Sequence, residues 1–131
     1  MIEVSYSHNK DGEGELVEKT TSITTYQELC DIIDSYPWDT ELALFEKSGV
    51  GGGITVVCGD VKQQFASYLL IPIETDKALL NIDIVFKPGF LTIFGRKATS
   101  TDLGEVSIAD AKSKLKELFD HSITSLYQKY K

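Results

Sequence analysis

In the stretch Leu79-Leu80-Asn81-Ile82-Asp83-Ile84-Val85-Phe86-Lys87, the apolar side chains Leu80, Ile82, Ile84 and Phe86 alternate with Asn81, Asp83, Val85 and Lys87. A period of two marks an extended strand that buries one face and wets most of the other. Turn residues bracket it, Glu74-Thr75-Asp76 before and Pro88-Gly89 after, so the chain is expected to reverse at both ends. Similar short runs flank it: Glu41 to Lys47, Ile54 to Cys58, Gln64 to Ile73 and Leu91 to Gly95, separated by Gly49, Gly51-Gly52-Gly53 and Gly59-Asp60. Successive short strands joined by tight turns predict an antiparallel meander.

Working outward toward the N-terminus, Ile2, Val4 and Tyr6 alternate with polar neighbours, and Asn9-Lys10-Asp11-Gly12 with Gly14 supplies turn chemistry. Glu15 to Thr21 can return as a second strand, which predicts an opening hairpin. Thr25-Tyr26-Gln27-Glu28 fits a capping box, a hydroxyl at the N-cap and a carboxylate three residues later. Tyr26, Leu29, Ile32, Ile33 and Tyr36 then follow at helical spacing, and Pro37 ends the helix near Tyr36. Toward the C-terminus, Ser107-Ile108-Ala109-Asp110 is a second capping-box candidate. Ile108, Ala111, Leu115, Leu118, Phe119, Ile123 and Leu126 hold one stripe, with Lys112, Lys114, Lys116 and Glu117 expected to face away. This helix is expected to reach about Tyr127, with a break near His121-Ser122. The sum is an α+β fold over a single domain, residues 1–131: an antiparallel sheet of about five to seven strands with two amphipathic helices packed on it in two layers.

The chain has 131 residues, 42% of them apolar and 25% charged, enough to bury one core without disulfides or a structural metal. Its longest apolar runs, such as Tyr68 to Ile73, are far too short to span a bilayer. Met1-Ile2-Glu3-Val4 has neither the basic start nor the apolar run of a signal peptide, which predicts a cytoplasmic protein. Cys30 and Cys58 lie in apolar-patterned segments and are expected to be buried free thiols. The net charge of −7 is unevenly spread: residues 1–46 carry 11 acids against Lys10 and Lys19, whereas residues 47–131 carry 9 acids against 11 bases. That balance disfavours nucleic acid as a partner and favours a basic protein, although it also serves solubility.

The residues offer little for catalysis. Gly49-Val50-Gly51-Gly52-Gly53 leads into the apolar run Ile54-Thr55-Val56-Val57, not into the helix a phosphate loop requires, so a hairpin connection is expected. His8, His121, Cys30 and Cys58 are scattered singly, without metal-ligand spacing. His8, in an expected turn, and His121, at an expected helix end, are poorly placed as bases for a nucleophile. The 20 acids allow many carboxylate pairs, none of them singled out by pattern. The expectation is a protein without enzymatic activity, cofactor or metal.

Trp38 stands apart. It follows Pro37, in an expected loop, among Asp31, Asp34, Asp39 and Glu41. An aromatic anchor ringed by carboxylates is what a hot spot for a basic partner looks like. It is also what an indole capping the core at the exit of the first helix looks like, and a half-buried ring satisfies both. The candidate partner-binding set is therefore Glu28, Asp31, Asp34, Trp38, Asp39 and Glu41.

From Thr24 onward the order of elements resembles the immunity proteins paired with bacterial polymorphic toxins and contact-dependent growth-inhibition toxins, especially the first-numbered class of that nomenclature. The features that carry the resemblance are the early helix Tyr26 to Tyr36, the segment Gly51-Gly52-Gly53-Ile54-Thr55-Val56-Val57 and later strands ending in Phe94-Gly95. Glu105 to Ala111, opening Leu115-Lys116-Glu117-Leu118-Phe119, resembles that class's closing helix. The class commonly carries a tryptophan after its final helix, where this chain has Tyr127, Tyr130 and Lys131. The resemblance implies a cytoplasmic protein that binds a cognate toxin, often a nuclease or deaminase, without chemistry of its own. A secretion-chaperone-like homodimer that binds an effector is the alternative for a small, acidic α+β chain; it requires an exposed apolar face.

Overall fold

The computed structural model describes residues 2–9, 16–48, 52–60, 63–74, 76–87 and 97–131. The opening alternation folds as the expected hairpin: β1 (Ile2–Asn9) pairs antiparallel with β2 (Leu16–Ile23), Val4 opposite Thr21. Its expected turn falls largely outside the described residues, and the backbone of His8 belongs to β1 rather than to a turn. Next comes α1 (Tyr26–Ser35), whose capping box forms in full: the Thr25 hydroxyl accepts from the Glu28 backbone N–H while the Glu28 carboxylate accepts from that of Thr25. Tyr36 is extended, as a residue before proline prefers, and ends the helix.

The chain then departs from expectation. The segment expected as a strand from Glu41 to Lys47 lies within the helix α2 (Trp38–Ser48), and Trp38 is its first residue rather than part of a loop. Glu41-Leu42-Ala43-Leu44-Phe45-Glu46-Lys47 consists mostly of strong helix formers. Asp39 and Glu41 in the first turn and Lys47 in the last complement the helix dipole. The glycine cluster consequently joins a helix to β3 (Gly53–Gly59) rather than two strands. At Gly52 the requirement is spatial: an added Cβ would fall 1.9 Å from the Ser7 carbonyl oxygen and 2.6 Å from the Tyr36 hydroxyl. Gly49 and Gly51 lie outside the described residues.

β4 (Phe65–Glu74) and β5 (Lys77–Lys87) continue the meander, and the alternating stretch that predicted a strand is one. The strand expected over Leu91 to Gly95 falls outside the described residues. On its side away from β4, β5 pairs with β6 (Lys97–Ser107), which the apolar pattern did not announce. The described strands form one antiparallel sheet in the order β2-β1-β3-β4-β5-β6. The closing helical stretch breaks twice, into α3 (Ile108–Leu115), α4 (Glu117–Asp120) and α5 (Ile123–Tyr130). Ser107 caps α3 through the Asp110 N–H, and the expected break at His121-Ser122 is present, with Ser122 capping α5.

Cross-strand partners share a face of the sheet, so the register identifies the core directly. The row Val4–Val56–Tyr68–Ile82 is fully buried, as are Ile54, Leu70 and Leu80 one row along and Ala66 and Ile84 on the other side. Leu29 and Ile33 of α1, Ala111 and Leu115 of α3, Leu118 of α4 and Leu126 of α5 close this core from the helical layer. Each of the valine, leucine and isoleucine side chains among them contributes about 1.5–3 kcal/mol by leaving water. The architecture is the expected α+β fold, a sheet with helices packed on it. Cys30 and Cys58 are free and half-buried rather than buried. Among the described residues no helix is long and apolar enough to cross a membrane.

Candidate partner-binding surface

Trp38 is held where α1 hands over to α2. Its indole N–H donates to the Ile33 carbonyl at 2.8 Å, and its ring meets Tyr36 edge-on, with centroids 5.1 Å apart and planes at 67°. Tyr36 is buried in turn, its hydroxyl donating to the Ser7 carbonyl at 2.6 Å. Burial, helped by the nearby Glu41 carboxylate, pushes the Tyr36 phenol well above its usual pKa of 10.0 and keeps it a donor. The indole is half-buried against the core. It closes the end of the core, as one of the two sequence-based accounts expects, and stays partly exposed. Around it, Asp34, Tyr36, Pro37, Trp38, Asp39 and Thr40 line one open depression of about 370 Å³.

The structure thus brings together three of the six expected residues, Asp34, Trp38 and Asp39. Asp34 also accepts from Lys112 of α3 at 2.5 Å, in an ion pair exposed enough to exchange partners. Asp39 is exposed in the first turn of α2. Glu28 and Asp31 are exposed on α1 outside the depression. Asp31 accepts from Gln27 at 2.9 Å. Hydrogen bonds from the side chain of Thr24, then that of Thr25, hold the Glu28 carboxyl below its usual value. Glu41 is a correction: it is 2% exposed and sits inside the fold, because the first turn of a helix, unlike a strand, rolls this position toward Tyr36. The acidity of the N-terminal third is also divided, since Glu3 and Glu18 lie on the sheet, away from α1.

A second constellation was not expected at all. Glu117, read as facing away, is 8% exposed and turned inward. Its Oε1 accepts from the Tyr68 hydroxyl at 3.0 Å and the Tyr130 hydroxyl at 2.5 Å, and its Oε2 pairs with the Lys129 ammonium. Lys116, between α3 and α4, keeps a right-handed helical backbone (φ −58°, ψ −27°), and what holds the Glu117 carboxylate inward is its partners, Tyr68 of β4 with Lys129 and Tyr130 of α5. Burial pushes the Glu117 carboxyl upward, but the donors Lys129, Tyr130 and Tyr68 outweigh it and hold the group below its usual 4.5. The same arrangement drives the Tyr68 and Tyr130 phenols well above their ordinary range, by burial first. Chemically this is a saturated carboxylate that ties α4 and α5 to the centre of β4.

Among the described residues no group of three or more His, Cys, Asp or Glu side chains is placed to hold a metal ion. Compared with known proteins, the chain matches no family model, no curated protein and no solved structure.

Proposed function

We infer that this chain is a cytoplasmic, non-catalytic binding protein that neutralises a basic partner by docking it over Trp38, in the manner of an immunity protein facing its cognate toxin. The observation that carries this reading is the depression in which a pinned, half-exposed indole shares its walls with the carboxylates of Asp34 and Asp39. A rigid aromatic beside carboxylates suits an arginine- or lysine-rich surface: the indole supplies contact area at little entropic cost, and the carboxylates supply charge-assisted hydrogen bonds. Nuclease and deaminase domains present basic clefts because their substrates are polyanions, which makes such a toxin domain the partner best matched to this surface. The ion pair from Lys112 to Asp34 then acts as a placeholder that an incoming guanidinium replaces.

The test is co-expression with any toxin domain that the reading frames beside this chain's own encode. The intact chain is expected to restore growth, and Asp39→Lys, an exposed charge reversal that leaves the core untouched, is expected to abolish protection. Growth arrest that persists with the intact chain, or full protection by Asp39→Lys together with Trp38→Phe, contradicts the reading.

A further inference from the structure

The sheet face opposite the helices has a composition of its own. Register places Thr20–Ser5–Thr55–Leu69–Asn81–Asp102 in one row and Ser22–Glu3–Val57–Ser67–Asp83–Ser100 in the next. Flanking rows add Ile71–Leu79–Glu105 and Phe65–Val85–Ala98. Read across the strands, this is three zones. β3, β4 and β5 hold two apolar pads, Leu69 with Ile71 and Leu79, and Phe65 with Val57 and Val85. β1 and β2 hold Glu3 and Glu18 on one flank. β5 and β6 hold Asp83, Asp102 and Glu105 on the other.

Apart from Val85, which is buried, the pad side chains are half-exposed, and all five carboxylate residues are exposed. Two open depressions mark this face, of about 590 Å³ beside Phe65, Ser67 and Asp83 and about 310 Å³ beside Thr55, Leu69 and Ile71, and neither is lined by a helix residue. Among the described residues register puts three basic residues here: Lys77, already paired with Glu74 and Glu105, and Lys87 opposite Lys97 at the other end of β5 and β6.

We propose that this face is a docking surface for an amphipathic helix of a partner protein, one whose apolar stripe is edged on both sides by lysine or arginine. Three features select that occupant. Neighbouring strands lie about 4.8 Å apart, so the zone from β3 to β5 is about 10 Å wide, the diameter of a helix. From Phe65 to Leu69 along β4 is about 13 Å, so one apolar stripe reaches both pads within two to three helical turns. Carboxylates on both flanks of an apolar strip match bases on both flanks of an apolar stripe. A second copy of this chain fits badly, because face-to-face packing sets acidic flanks against each other while the bases of this face stand only at the two ends of β5 and β6, leaving Glu3 and Glu18 unanswered.

This surface lies across the sheet from Trp38 and does not depend on the role proposed for that residue. The probe is a fluorescein-labelled peptide of about 18 residues with a leucine stripe edged by lysine, read by fluorescence anisotropy, beside a scrambled peptide of identical composition. The expected result is saturable binding of the amphipathic peptide alone, weakened about tenfold by Leu69→Thr with Ile71→Thr, weakened by raising salt, and unchanged by Asp39→Lys. In the unaltered protein, the amide resonances that shift on titration are expected to be those of Thr55, Ser67, Leu69 and Asn81. No saturable binding, equal binding of the scrambled peptide, shifts confined to the helices, or a dimer in light scattering that the double threonine variant dissociates would each overturn the proposal.

Discussion

Replacing Glu117 by alanine tests how the C-terminal helices are held to the sheet. The substitution removes the acceptor of two phenols and one ammonium. The Tyr68 hydroxyl is fully buried and would lose its carboxylate partner, at a cost of about 1–3 kcal/mol for an unsatisfied buried donor. The lost methylene adds about 0.8 kcal/mol, for a total of roughly 2–4 kcal/mol. Tyr68→Phe removes one donor and leaves two, so its cost is about 1–2 kcal/mol. Lys129→Met removes a half-exposed partner, 48% accessible, and costs less than about 1 kcal/mol.

For a chain of this length about 3 kcal/mol corresponds to a drop in Tm of roughly 9–15 °C. Urea denaturation at neutral pH gives the same ranking through its midpoint, with the slope unchanged. The pH dependence carries a sign. The folded Glu117 carboxyl lies below its usual value, so its contribution is complete above about pH 4.5 and is lost as pH falls through the folded pKa. Glu117→Gln is therefore expected to lose stability less steeply than the parent between pH 5 and about pH 3. If Glu117→Ala costs under about 1 kcal/mol, or Lys129→Met costs as much as Glu117→Ala, the network is not what secures these helices.

Gly52→Ala forces a Cβ against the Ser7 carbonyl and is expected to cost more than about 2 kcal/mol in urea denaturation. Gly104→Ala, with open space around it but φ at +68°, is expected to cost about 1–2 kcal/mol. Ala43 is exposed inside α2, so Ala43→Gly should lower stability by about 1 kcal/mol, and Ala43→Thr by a few tenths by the same urea measurement. A gain with threonine would favour a strand there. Lys112→Met is expected to leave Tm nearly unchanged, because an exposed pair contributes about 0–1 kcal/mol, while strengthening calorimetrically measured affinity for the neighbouring-frame toxin domain by releasing Asp34.

Where local pattern and tertiary demand agree, the fold was legible. The opening hairpin, the capping box of α1, the alternating strand β5 and the break at His121 all follow from periodicity or cap chemistry that no neighbour has to supply. α2 was misread because Leu42 and Leu44 alternate as a strand would, although Leu, Ala, Glu and Lys together favour helix and the end charges complement its dipole. β6 was missed for a different reason. It is an edge strand rich in Thr and Ser, and Thr99 serves the fold by donating to the Tyr130 carbonyl rather than by burying an apolar surface. At the candidate site, Trp38 with Asp34 and Asp39 was visible as a local cluster. The inward turn of Glu117 was not, because its partners stand 49 residues away in Tyr68 and 13 away in Tyr130, and only the fold brings them to it.

Trp38 is the one tryptophan in the chain, so its emission reports on the proposed binding site without a label. The most direct test is to titrate the intact protein with the neighbouring-frame toxin domain, or with that domain's tryptophan-free variant if it contains tryptophan, while calorimetry follows binding independently. Docking over the depression predicts a saturable change in Trp38 emission with the calorimetric affinity, weakened by salt and by Asp39→Lys. Tight binding that leaves the emission unchanged, and is indifferent to Asp39→Lys, would place the contact elsewhere and contradict the account.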